Sequence, residues 1–133
     1  MILLPATHIA AAVAAQLSQV IDIGSERTPK QLTAIGKFLY GSGGTNVNAW
    51  LQTSLDGGTT WFDVINFLFT TAALTKASTV VPVSANAITL TDGALAGNTS
   101  IAGLFGRLWR VKYTTTGTYA GLTSLEVDVF GNN

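Results

Sequence analysis

Serine, aspartate, glycine, threonine and tryptophan meet within eight residues of this chain, in the run SLDGGTTW at 54–61. A hydroxyl, a carboxylate and glycine-freed amides so close together suit an active-site loop, a metal loop or a tight turn. Few other residues offer chemistry. The one histidine, His8, lies in an apolar stretch with no carboxylate near it in sequence, and the seven Asp and Glu are spread singly. A carboxylate pair for glycosidic cleavage would have to be assembled across the fold. There is no Gly-x-Ser-x-Gly elbow and no second histidine to complete a triad. The run GSGG at 41–44 lacks the lysine of a phosphate loop and joins two strand-like segments. Cysteine is absent, which excludes disulfides, thiol catalysis and thiolate metal sites. With one histidine and scattered carboxylates as the ligand pool, no metal and no cofactor are expected. The chain reads as a non-enzyme with no catalytic residue.

The physics of SLDGGTTW favours the turn. Gly57 and Gly58 permit positive φ, and Asp56 can accept bonds from the amides of its own turn. Ser54 precedes the turn and Thr60 opens the next strand, so Trp61 falls where its ring can cover the hairpin while its N–H reaches a carbonyl. Such a turn sets the register of two long flanking strands, and a slip of one residue would exchange their faces.

The elements that must carry this turn are strands. Short runs rich in Val, Ile, Thr and aromatics alternate with Gly, Asn, Asp and Ser clusters, predicting strands at 17–23, 32–40, 47–55, 60–69, 77–83, 108–115 and 124–130. Alternation is clean at the end of the chain, where Leu125, Val127 and Val129 oppose Glu126 and Asp128. In 108–115, Trp109, Val111 and Tyr113 alternate with Arg110 and Lys112. In 47–55, Trp50 falls on the polar side, which fits a ring covering a sheet edge or one offered to a partner. The next strand is apolar on both faces, with Phe62, Val64 and Leu68 opposite Trp61, Ile65, Phe67 and Phe69, as for a central strand or one covered by another subunit. The expected fold is all-β: an antiparallel β-sandwich of about seven strands, immunoglobulin-like or jelly-roll-like, spanning 17–133 behind an N-terminal arm at 1–16. The small-residue stretch 84–106 reads as a long crossing connection or surface loop, with room for one extra strand at 87–90.

Composition adds a bias toward assembly. The chain has 133 residues, enough for one domain with its own core, and seven basic side chains balance seven acidic ones. Charged residues make up 11% of it, against roughly 25% in an average domain. So little charge leaves a free monomer poorly solvated and implies that neighbouring subunits cover part of the surface. Nucleic acid is not expected, because the basic residues are scattered from Arg27 to Lys112. Their one cluster, Arg107, Arg110 and Lys112, reads as a solvated strand face or a polyanion site. The apolar start MILLPATHIAAAVAAQLS has no Lys or Arg ahead of it, so signal cleavage is not expected, and it is too short and interrupted to span a bilayer. It fits an arm on a neighbouring subunit or a short helix on its own domain. The interface candidates are therefore Met1, Ile2, Leu3, Leu4 and His8 of the arm, with Trp50, Phe62, Val64 and Leu68. A second class of function, glycan binding, would use Trp50, Trp109, Tyr113 and Tyr119 as a flat aromatic platform.

Two resemblances follow. Ser54, Asp56, Gly58, Thr60 and Trp61 fit a pattern that resembles the Asp-box of sialidases and related β-propellers, where it forms a hairpin turn far from the catalytic residues. One copy in 133 residues cannot build a propeller. More broadly, VNAWLQTSLDGGTTWFDVINFLFT, then TDGALAGNTSIAGLFG and RLWRVKYTTTGTYAGLTSLEVDVFG, is similar to the small β-sandwich structural proteins of tailed-bacteriophage virions, over roughly residues 32–131. The resemblance implies no activity. It implies a homo-oligomeric virion protein, first of all a capsid decoration or cement protein contacting the major capsid protein or other virion components, and otherwise a neck or tail protein.

Overall fold

The computed structural model describes residues 2–23, 29–84 and 86–132, which contain strands and turns and no helix. In chain order the strands are β1 (Ile2–His8), β2 (Gln16–Leu17), β3 (Ile21–Asp22), β4 (Gln31–Leu39), β5 (Ser42–Gly43), β6 (Asn46–Ser54), β7 (Phe62–Phe69), β8 (Leu74–Val80), β9 (Leu108–Thr116), β10 (Tyr119–Ala120) and β11 (Ser124–Asn132). One antiparallel sheet has the order β1-β11-β4-β8 and the other β2-β9-β6-β7, with β3 also on β9. They pack face to face as a β-sandwich, and β5 and β10 form a separate two-stranded ribbon. The expected strands from 32–40 onward return as β4, β6, β7, β8, β9 and β11, except that the one expected at 77–83 lies three residues earlier, at Leu74–Val80. The run 17–23 is instead broken into β2 and β3, and 87–90 forms no strand.

Among the described residues, the hairpin of β6 and β7 is the one place where consecutive long strands pair. Its register holds Val47 against Phe69, Ala49 against Phe67 and Leu51 against Ile65, then shifts so that Gln52 opposes Asp63. Val64 is the extra residue of this bulge. A bulge reverses parity along a strand, which is why 62–69 looks apolar on both sides. Phe62 and Val64 before the shift, and Ile65, Phe67 and Phe69 after it, all serve one core.

The inner faces interlock closely. Gly36 of β4 sits under Phe67, where an added Cβ would come within 2.8 Å of the ring. Phe38 stacks on Phe69 at 5.0 Å between centroids and meets Tyr119 edge-on at 5.8 Å. Tyr119 is buried and donates its hydroxyl to the Thr70 carbonyl at 2.9 Å, satisfying its polar end.

The N-terminal segment departs from expectation. Ile2–His8 is neither an arm on a neighbour nor a helix; it is an edge strand paired antiparallel with β11. Leu3, Leu4 and Ile9 are at most 5% exposed within the chain's own core. Each such side chain contributes about 1.5–3 kcal/mol on burial, so docking on the parent domain is strongly favoured. The segment 1–16 is therefore part of the sandwich over its described residues.

Candidate functional site

SLDGGTTW is a closed hydrogen-bonded turn. The Ser54 hydroxyl donates to Asp56 Oδ1 at 2.9 Å and accepts the Gly58 amide at 2.8 Å. Asp56 Oδ1 also accepts the Thr59 and Thr60 amides at 3.1 and 2.9 Å, and its Oδ2 takes the Thr60 hydroxyl at 2.6 Å. Gly57 and Gly58 have φ of +76° and +98°. Trp61 donates its indole N–H to the Gly58 carbonyl at 3.1 Å and is buried. The Thr60 hydroxyl first, then the Thr60 amide, hold the exposed Asp56 carboxyl down to about 2. Its oxygens are thus occupied by the turn, and among the described residues no cluster of His, Asp or Glu forms around it. Beside the turn, an open depression of about 370 Å³ is lined by Asp22, Ser54, Leu55, Gly57, Arg107 and Leu108, where Arg107 bonds Asp22 at 2.7 Å.

A second carboxylate forms a denser site that the sequence did not announce. On the outer face of the β9-β6-β7 sheet, Asp63, Gln52 and Arg110 lie side by side across three strands. Gln52 donates its amide to Asp63 Oδ1 at 2.8 Å and to Asp92 Oδ1 at 2.6 Å, and accepts Arg110 Nε at 2.9 Å. Asp63 has no exposed surface. Its oxygens further accept the amides of Gly93, Ala94 and Leu95 at 2.8, 2.9 and 3.1 Å and the Thr91 hydroxyl at 2.8 Å. A buried carboxylate is tolerated only when its lone pairs are filled, and here five donors fill them, four from one loop. That loop, residues 91–101, is strapped across the sheet.

The strap continues along β7. The Asp63 amide donates to the Thr91 carbonyl, the Asn66 amide to Thr99 and the Ile101 amide to Val64, all within 2.8–2.9 Å. Trp50 and Asn66, the next cross-strand pair, both donate to the Leu95 carbonyl, at 3.0 and 2.7 Å. The guanidinium of Arg110 lies 4.3 Å from the Trp61 ring centroid, which couples the strap's network to the turn. Lys112 bonds Asp92 at 3.1 Å. Burial opposes ionisation of Asp92, yet the Gln52 amide and then Lys112 outweigh it and hold its carboxyl below the usual range.

Several expected interface residues are corrected by this geometry. Trp50 and Val64 are buried by the chain's own strap and core, as are Leu3 and Leu4, because an apolar side chain is covered by the nearest available surface. Phe62 and Leu68 are half-buried, Ile2 and His8 exposed, and Met1 lies outside the described residues. The aromatic platform is likewise not formed: Trp50, Trp109, Tyr113 and Tyr119 are each at most 8% exposed. Arg107, Arg110 and Lys112 do not make an open basic patch, since each engages a named partner. Among the described residues no three His, Asp or Glu gather as metal ligands. One signal for the missed site was present: an aspartate inside the apolar run WFDVINF marks a buried anion that needs donors.

No family model matches this chain, and neither a curated protein nor a solved structure matches it significantly.

Proposed function

We propose that this chain is a structural protein of a tailed-phage virion, in the first place a capsid decoration or cement protein that stabilises the head lattice through subunit contacts. The observation that carries the reading is how its polar residues are used. Asp56, Asp63, Gln52 and Asn66 direct their hydrogen bonds to holding loops against the sandwich. That is the profile of a rigid building block. The low charge and the resemblance of residues 32–131 to small virion proteins point to the same class. Major capsid or other virion proteins are the partners this reading names.

Quantitative mass spectrometry of washed particles tests it. A copy number near that of the lattice subunit supports decoration, and a few copies per particle moves the chain to the neck or tail. Absence from washed particles overturns the proposal.

A further inference from the structure

The two sheets expose four edges, and they are treated differently. The outer edge of β7 is closed by the strap, through Asp63, Val64 and Asn66 backbone bonds and the Leu68 amide on Asn98 Oδ1. The β1 edge carries Pro5 and two register shifts against β11. The edge beside β9 consists of two-residue fragments, β2 and β3. Proline, bulges and short strands each blunt an edge against further pairing. The fourth edge, β8, has none of these devices. It runs regularly against β4 from Leu74 to Val80, and among the described residues no backbone bond reaches its free side. Alternate amides and carbonyls of such a strand point outward unpaired.

The one guard among the β8 side chains is Lys76, because an inward-pointing charge resists further pairing when it has no partner, and here its own chain already supplies the partners. Thr75, Ala77 and Thr79 are exposed and uncharged. Lys76, the strand's only charge, is turned inward, donating to the Leu68 carbonyl and to Asn98 Oδ1 at 3.0 Å. Beside the edge a groove of about 340 Å³, bounded by Phe67, Lys76, Ser78 and Thr99, leaves room for the side chains of an incoming strand.

We infer that β8 is a self-association edge, pairing antiparallel with β8 of a second copy across a two-fold axis and joining two four-stranded sheets into one. The occupant follows from self-complementarity. A two-fold centred on Ala77 places Thr75 opposite Thr79, Lys76 opposite Ser78 and Leu74 opposite Val80, so no like charges face each other and the β-branched threonines pair. Naming a second copy rests on the reading of the chain as an assembly subunit.

Sedimentation velocity over a concentration series tests this on the full chain. The expected result is a reversible dimer, weakened at least about tenfold by Ala77→Lys or Ala77→Asp alone and restored when the two variants are mixed, because like charges across the axis become opposite ones. Hydrogen exchange of the 74–80 amides in the unaltered protein, slower at high than at low concentration, provides a readout independent of any variant. A monomer up to about 1 mM, or a dimer indifferent to both substitutions, overturns the inference. In either case the particle stoichiometry still decides the virion reading separately.

Discussion

Asp56 and Asp63 perform the same task at two scales. Each gathers amides and a threonine hydroxyl onto one carboxylate and so holds a loop. Asp56 binds residues two to four positions away and stays exposed to water. Asp63 binds residues about thirty positions away with no exposed surface. Water can replace every partner of Asp56, whereas the donors around Asp63 would have no substitute unless the strap lifted. Burial and loop closure, more than hydrogen-bond geometry, therefore set how much each carboxylate contributes.

This contrast can be broken most strongly at Asp63. Asp63→Ala removes the acceptor for five donors and is expected to destabilise the fold by about 3 kcal/mol, read by chemical denaturation. The loss of hydrogen-exchange protection should be concentrated in residues 91–101. A stability loss without local opening of the strap would show that Asp63 acts through the β-sheet alone.

At the turn the expected effects are smaller. Gly57→Ala meets no atom within 4 Å, so its cost is that of placing a Cβ at φ +76°, about 1 kcal/mol. A neutral result in thermal unfolding would mean that the turn relaxes freely. Asp56→Asn keeps the shape and loses the charge, and it should shift the unfolding midpoint less than Asp63→Ala while leaving the strap's exchange protection unchanged.

The smallest effect is a pH dependence. Asp56 is held at about 2 in the fold against 3.8 ordinarily. A lowered folded-state value means that its contribution is complete above the unfolded value and is lost as the pH falls through about 2. A carboxyl NMR titration of Asp56 with a midpoint near the ordinary value would contradict the turn geometry.

Legibility in the sequence followed sequence separation. The Asp56 turn, the positive φ of its glycines and the Trp61 N–H contact were readable because every partner lies within the eight-residue run. The Asp63 site was not, since its partners Gln52, Thr91 and Arg110 meet only after three strands have paired and the strap has crossed them. Parity in 62–69 was misleading because a bulge at Val64 reverses it, and nothing in the residues themselves positions a bulge. The strand assigned to 17–23 failed because its pieces are set by β9, to which each binds separately.

The sequence by itself determined the long strands β4, β6, β7, β8, β9 and β11, the β6–β7 turn and the sandwich class, because alternation and turn chemistry act within a few residues. Only the tertiary structure decided that Ile2–His8 is a strand, that Trp50 lies beneath a strap, and that β7 is a closed edge while β8 is an open one. Those outcomes depend on which surfaces meet across long stretches of chain, and the free energy of that meeting is carried by no single local pattern.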